Sequence, residues 1–173
     1  TWGEGRMANM FKGRPDWCVS RQRSWGVPIP VFYCQKCDHT IAEPEIVNHV
    51  ADIFALETAD AWYNRPESEL LPKDFTCPKC NSVDFRKETD ILDVWFDSGS
   101  TFWHVLRGTH ANTGSSLGHH DSGPEADLYL EGHDQHRGWF HSSLLLGCAI
   151  YDRAPYKGLL THGFATDGQG RKM

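Results

Sequence analysis

Four of the six cysteines fall in two Cys-x-x-Cys pairs, Cys34-Gln-Lys-Cys37 and Cys77-Pro-Lys-Cys80, and this spacing constrains the fold more than any other feature. Two thiolates three residues apart can curl around one ion, so two such pairs suit a tetrahedral Zn2+ with bonds of about 2.3 Å. Four thiolates leave no position for water, so that ion would be structural. The alternative is a set of reduced thiols without metal. The 39 residues between the pairs (38–76) exceed what a compact zinc ribbon needs, so they are expected to fold as an inserted lobe. Within it Ile46, Val50, Ile53 and Phe54 recur at i, i+4, i+7 and i+8, which predicts a helix over 45–56. Cys18 and Cys148 have no cysteine at metal spacing and read as packed thiols.

Composition bounds the rest. With 39% hydrophobic and 23% charged residues among 173, the chain can bury a core. Its net charge of -6 removes the blanket attraction that a nucleic-acid sleeve needs, so any RNA contact must be local. No apolar run approaches the roughly 20 residues of a membrane span, and the start lacks a signal-peptide layout. A cytoplasmic location is the expectation. The chain opens at Thr1 and ends on the loop-like Gly170-Arg171-Lys172-Met173, which reads as an excised piece of something longer.

Three regions follow. Residues 1–33 form a lead-in of Gly- and Arg-rich turns, and Pro28 and Pro30 suit a sheet edge. Residues 34–86 form the zinc lobe. From 87 to 173 short apolar strands alternate with glycine-containing turns and helices, the texture of an α/β sheet. Residues 91–96 read as a strand and 101–106 as a helix, whereas 108–124, with His110, His119 and His120, read as a polar loop that could bind metal but need not. Residues 128–130 (strand), 131–134 (turn), 135–151 (helix) and 158–164 (strand) form a βαβ unit. Ligands of such sheets sit beyond the carboxyl ends of the strands, where Glu131, Asp134, Gln135 and His162 fall. Trp95 and Trp139 could wall an apolar pocket there, or Trp139 could be helix core. The loop Asp167-Gly168-Gln169-Gly170-Arg171-Lys172 ends in two cations and suits polyphosphate handling.

These residues carry a resemblance. The segments Arg14-Pro15-Asp16-Trp17-Cys18-Val19-Ser20-Arg21-Gln22-Arg23-Ser24-Trp25-Gly26, Asp93-Val94-Trp95-Phe96-Asp97-Ser98-Gly99, Tyr129-Leu130-Glu131-Gly132-His133-Asp134-Gln135-His136-Arg137-Gly138-Trp139-Phe140 and Leu160-Thr161-His162-Gly163-Phe164 resemble class I isoleucyl-tRNA synthetases. Lys172-Met173 resembles the first two letters of that family's Lys-Met-Ser-Lys-Ser ATP loop. The resemblance implies the second half of a Rossmann-like catalytic domain carrying an inserted zinc-knuckle lobe. It implies that Glu131, Gly132, Asp134 and Gln135 line the isoleucyl-adenylate site, with His162 and Gly163 near the adenosine. Trp95 and Trp139 would close on the isoleucine side chain, and Lys172 would be catalytic, neutralising triphosphate charge.

The implied substrates are L-isoleucine, ATP with Mg2+, and tRNA(Ile), handled by a full-length enzyme that is monomeric, touches no membrane and carries Zn2+ on Cys34, Cys37, Cys77 and Cys80. The family's His-Ile-Gly-His signature, its editing site and its anticodon-binding region have no counterpart here, so the isolated chain is expected not to aminoacylate. Two other readings stay open. One is a valyl or leucyl enzyme. The other is a free-standing zinc-knuckle RNA-binding module using Arg14, Arg21, Arg23, Trp17 and Trp25.

Overall fold

A computed structural model describes residues 2–109 and 125–173. In chain order the elements are α1 (Trp2–Lys12), β1 (Ser20–Arg21), β2 (Phe32–Cys34), β3 (Thr40–Ile41), α2 (Pro44–Glu57), α3 (Ala61–Asn64), α4 (Glu67–Leu70), β4 (Phe85–Lys87), β5 (Ile91–Leu92), α5 (Val94–Gly99) and α6 (Thr101–Trp103). A π-helical turn (His104–Thr109), β6 (Tyr129–Gly132), a 3-10 turn (His133–Arg137), α7 (Trp139–Tyr151) and β7 (Leu159–His162) complete it. The chain divides into two compact units, one of Val19–Asp93 and one of Thr1–Cys18 with Val94–Met173.

The Val19–Asp93 unit is built on an antiparallel sheet ordered β3-β2-β4, in which Phe32 faces Ile41 on one side and Lys87 on the other. Pro44 at the start of α2 supplies a helical φ without wasting a backbone donor. The helix then turns Ile46 and Val50 into a core with Phe32, Ile41, Trp62, Leu70 and Phe85, and Ile53 and Phe54 pack against it. Trp62 fixes the inserted residues to the sheet. Its ring lies 5.0 Å from Phe32, its Nε1 donates to the Glu88 carbonyl at 3.1 Å, and Lys87 Nζ donates to the Trp62 and Arg65 carbonyls at 2.7 Å each. A second, two-stranded sheet pairs β1 with β5, and Arg21 meets the Asp93 carboxylate at 2.5 Å.

The other unit holds a βαβ crossover. β6 and β7 run parallel with Tyr129 opposite Leu159 and Gly132 opposite His162, and α7 connects them. Tyr129, Phe140 and Leu146 share a core with Met7, Phe102 and Leu106. Tyr129 is its centre, stacked on Trp139 at 4.1 Å and packed on Tyr156 at 4.7 Å.

Three expectations change. The strand expected over 91–96 is only Ile91–Leu92, and Val94–Gly99 is helical. β1 offers only two residues to pair with, while α5 gains close packing on α7. A Cβ at Gly99 would lie 2.9 Å from the Ser142 backbone, an approach that only glycine permits. The helix expected over 135–151 begins at Trp139, after the 3-10 turn and the break at Gly138. Cys18 and Cys148 are exposed rather than packed. Of the expected 108–124 loop, residues 110–124 with their histidines lie outside the described residues.

Candidate active site and metal centre

Parallel pairing puts the carboxyl ends of β6 and β7 side by side, so Gly132 and His162 are register partners and Glu131 pairs with Thr161. Gly132 is buried, and a Cβ there would lie 2.5 Å from Asp134 Oδ1 and 3.8 Å from His162 Cε1. A side chain at this position would displace the carboxylate, which is why the turn needs glycine. Gln135 Nε2 donates to Asp134 Oδ2 at 3.2 Å, while Gln135 Oε1 accepts the Trp139 amide at 3.0 Å. The amide side chain thus ties the acidic turn to the first residue of α7. Glu131, Asp134, His162 and Gly163 are exposed, as a ligand-facing rim requires.

The cationic loop reaches this rim through aromatic contacts. His133 packs on Phe164 at 4.5 Å, and Lys172 Nζ stands 3.6 Å from the centre of the same Phe164 ring. Asp167 closes the loop: its Oδ1 accepts the Gln169 and Arg171 amides at 2.9 and 3.0 Å, and its Oδ2 accepts Arg171 Nε at 2.9 Å. These amides, Arg171 first, hold the Asp167 pKa below the usual carboxylate value.

The two tryptophans have different settings. Trp139 is stacked in the core, with Nε1 donating to the Ser98 carbonyl at 2.9 Å and to Thr101 Oγ1 at 3.1 Å. Trp95 is 45% exposed and approaches Gly138, where a Cβ would come within 3.0 Å of its ring. His136, which sequence reasoning passed over, is buried, with its Nδ1 2.7 Å from the His133 carbonyl and its ring edge-on to Phe140 at 5.6 Å. It shapes the turn from inside. His141 was also missed. It accepts from Arg14 at 3.0 Å, a pairing across 127 positions that no local pattern announces.

In the Val19–Asp93 unit, the four sulfurs of Cys34, Cys37, Cys77 and Cys80 lie within 4.8 Å of one another. Cys34 and Cys80 are 3.5 Å apart, and Cys37 and Cys77 3.7 Å. A metal–thiolate tetrahedron with bonds of about 2.3 Å has edges of about 3.8 Å, so the donors are already at ligating separation. Each pair is wound alike. Asp38 and Asn81, one residue beyond each pair, take φ of 52° and 57°, a conformation that Asp and Asn tolerate. Their amides return to the Cys34 and Cys77 carbonyls at 2.9 Å. Burial opposes ionisation of Cys34, but the Lys36 and Cys37 amides and the neighbouring thiols outweigh it and bring its pKa to about 6. For Cys37 the His39 amide favours the thiolate, yet burial and the three surrounding thiols push it up to about 12. One thiolate forms at its neighbours' expense, a conflict that a bound dication resolves because it deprotonates its thiol ligands outright. The donor set fits a metal ion.

The whole chain, residues 1–173, matches the family model of tRNA synthetases class I (I, L, M and V). It is 55% identical over 172 residues to the isoleucine–tRNA ligase of Brevibacillus brevis, covering 99% of this chain and 17% of that protein. It is 53% identical over 173 residues to the isoleucine–tRNA ligase of a Thermoanaerobacter species, again 17% of that protein. The chain therefore spans about a sixth of the length of these relatives. Among solved structures, the LeuRS–tRNA–LeuAMS ternary complex from Agrobacterium radiobacter superposes with a TM-score of 0.59 over 92% of this chain and 20% of that one, at 23% identity, which speaks for the fold alone. No helix among the described residues is long and apolar enough to cross a membrane. By sequence along its whole length and by fold, the chain belongs to the class I tRNA synthetases of the I, L, M and V group.

Proposed function

We propose that this chain supplies the second half of the Rossmann-like catalytic domain of an isoleucine–tRNA ligase, with a zinc-knuckle lobe inserted in it. The reaction would be ATP plus isoleucine giving isoleucyl-AMP and pyrophosphate, followed by transfer to tRNA(Ile). The observation that carries the reading is the junction of the parallel strand ends, where Gly132 lets the Asp134 carboxylate sit against the backbone beside His162. The 50–55% identity to isoleucine–tRNA ligases supports the choice of amino acid.

In this reading Glu131, Gly132, Asp134 and Gln135 hold the adenylate, with His162 and Gly163 on the adenosine side. Gln135 is aligned by the Trp139 amide, so its remaining amide group is presented without rotational freedom. Trp95 and Trp139 bound the aliphatic side chain. One methylene in such an apolar pocket yields only about 1–3 kcal/mol of discrimination, for which the isoleucine-versus-valine case is the standard illustration. Lys172 leaves Phe164 to offset charge on the transferring phosphate, and catalysis rests on positioning and electrostatics rather than a covalent intermediate. Mg2+ would accompany ATP, as it commonly does for substrate phosphates. Zn2+ on Cys34, Cys37, Cys77 and Cys80 would supply a closed structural crosslink. The enzyme so completed would work as a monomer in the cytoplasm.

The test is a transplant. Residues 1–173 replace their counterpart in the Brevibacillus brevis ligase, and isoleucine-dependent pyrophosphate exchange is measured. Exchange near the parent rate supports the proposal. A folded chimera without exchange, or one that prefers leucine or valine, overturns it. The 173-residue chain by itself is expected to show none.

A further inference from the structure

In the Val19–Asp93 unit the two Cys-x-x-Cys turns are built alike, hydrogen bond for hydrogen bond. The Cys34 amide donates to the His39 carbonyl at 3.0 Å and the Cys77 amide to the Ser82 carbonyl at 2.8 Å, while the Asp38 and Asn81 amides return to the Cys34 and Cys77 carbonyls. The first cysteine of each turn, Cys34 or Cys77, is buried, and the last, Cys37 or Cys80, is partly exposed. The turns oppose each other head to tail. Cys34 Sγ lies 3.5 Å from Cys80 Sγ, and Cys37 Sγ lies 3.7 Å from Cys77 Sγ. Each approach therefore brings the buried thiol of one turn against the partly exposed thiol of the other.

A closed tetrahedral ion requires four donors and nothing more. It does not require that one sulfur of each close pair be open to solvent while its neighbour is covered. That division is what thiol oxidation uses, because an oxidant reaches the accessible sulfur and a second thiol held beside it resolves the product. Going from these approaches to a disulfide of about 2.05 Å shortens each by roughly 1.5 Å. The consequence for the fold depends on which sulfurs join. Cys34 closes β2 opposite Phe85 of β4, and both buried thiols belong to the Trp62 core. Bridges between the turns tie residues 46 and 40 positions apart, so they hold the inserted residues as a bound ion would. Bridges within each turn would leave the turns unconnected.

We propose that the four-cysteine cluster is a peroxide-sensitive modification site that closes Cys34–Cys80 and Cys37–Cys77 disulfides, so that covalent staples between the turns replace a bound metal ion. The accessible sulfur attacks one oxygen of hydrogen peroxide, the O–O bond breaks, and a sulfenic acid and one water result. The buried partner's sulfur then attacks the sulfenic sulfur, the S–O bond breaks, and the hydroxyl leaves as a second water while the S–S bond forms. Each bridge thus consumes two thiols and one peroxide, oxidising the sulfurs and reducing the peroxide to two waters. With zinc bound, four thiolates and two peroxides give two disulfides, four hydroxides and the released ion. The inference goes beyond the proposed function and does not depend on the strand-end site.

The test treats the 173-residue chain, zinc-loaded and metal-free, with a small excess of hydrogen peroxide. Remaining thiols are blocked by alkylation under denaturing conditions, and the disulfides are mapped by mass spectrometry. Tryptic cleavage after Lys36 and Lys79 places each of the four cysteines on its own peptide, so every pairing can be told apart. The expected map joins Cys34 to Cys80 and Cys37 to Cys77 in both samples, with zinc appearing on a chromogenic chelator in step with the lost thiols. Dithiothreitol should restore zinc binding. The near-ultraviolet band that chelation alone removes should persist after oxidation. Cys18→Ser with Cys148→Ser, which removes the two exposed thiols, should give the same map. In Cys34→Ser the Cys80 sulfenic acid, left without its resolving thiol, should accumulate as a dimedone adduct. If that variant does not fold, the map of the parent chain decides. Bridges mainly within the turns, oxidation no faster than at Cys18 and Cys148, or zinc lost without disulfides overturns the inference. Pyrophosphate exchange by the transplanted ligase tests the strand-end reading on its own, so either proposal can fail while the other stands.

Discussion

Gly132→Ala separates geometry from stability at the strand ends. The added methyl would lie 2.5 Å from Asp134 Oδ1, about 1 Å inside ordinary van der Waals contact, and the carboxylate is the movable partner. Turning it aside takes Asp134 about 30° from its rotamer, which costs roughly 0.5–1.5 kcal/mol. It also gives up the exposed Gln135–Asp134 hydrogen bond of 3.2 Å, worth at most about 1 kcal/mol. Against these, replacing glycine within a strand returns about 0.5–1 kcal/mol of backbone entropy. The sum runs from about -0.5 to about +2 kcal/mol of destabilisation, so a urea melt of the chain should shift only modestly. The carboxylate, however, is displaced by about 1 Å, and a misplacement of that size costs about a hundredfold in rate. Pyrophosphate exchange in the transplanted ligase should fall by about that factor. An unchanged exchange rate would show that the Asp134 position is irrelevant to the chemistry. A melt lowered by several kcal/mol would show that Gly132 is a packing residue, and either result refutes the reasoning.

Gly99→Ala should do the opposite, destabilising by about 1–3 kcal/mol through overpacking on Ser142 and Leu146, read from the urea midpoint. The chain should bind one zinc per molecule by atomic absorption. Chelation should then loosen the Val19–Asp93 unit, where Cys34 and Cys77 are wholly buried in the Trp62 core, and abolish the near-ultraviolet signal of that indole. A melt insensitive to chelator would exclude a structural ion. Asp167 has a folded pKa below its ordinary value, so its contribution is complete above about pH 4, its unfolded value, and is lost as pH falls through the folded one. The protection factors of the Gln169 and Arg171 amides, taken relative to the intrinsic exchange rate at each pH, should fall on acidification over that window, and Asp167→Asn should shift or erase that fall. Leu130 and Leu160, each 53% exposed on the strand pair, should drive association of the isolated chain. Leu130→Lys with Leu160→Lys should return it to a monomer by sedimentation without lowering its melt.

Local signals were legible and long-range ones were not. The four-cysteine cluster is visible in sequence because each Cys-x-x-Cys pair is wound by its own backbone, with Asp38 and Asn81 closing the turns. α2 matches its apolar period to within a residue at either end, since Pro44 marks its start. Val94-Trp95-Phe96 reads as strand by propensity, but Gly99 packing on α7 decides for helix, a tertiary choice that propensity does not contain. α7 is apolar all round, so nothing in its pattern distinguished exposed Cys148 from buried Ser142 and Ser143. The strand-end residues could be listed from their place after apolar runs. That Gln135 grips the Trp139 amide, or that Arg14 meets His141, depends on contacts that no spacing encodes.

The strand pair itself argues for what surrounds it. Parallel sheets occur almost only with both faces covered, and two strands alone rarely suffice for stability. Here Tyr129 faces the core while Leu130 and Leu160 face outward and are half open, with Leu128 beside them at 52%. A solvated outer face would carry polar side chains at those positions. Leucines there are the pattern of strands meant to be buried on both sides, and relatives about six times longer have the chain to do it. The same logic explains the rim. Glu131, Asp134, His162 and Lys172 gather at one end with a carboxylate aligned by Gln135 and a lysine parked on Phe164, an arrangement with donors and charges on one flank only. Adenylate chemistry needs positioning from both sides of the phosphate. Under the proposed function these residues form one wall of the adenylate site, and the outward Leu130 and Leu160 are the surface on which a further part of a longer chain would pack.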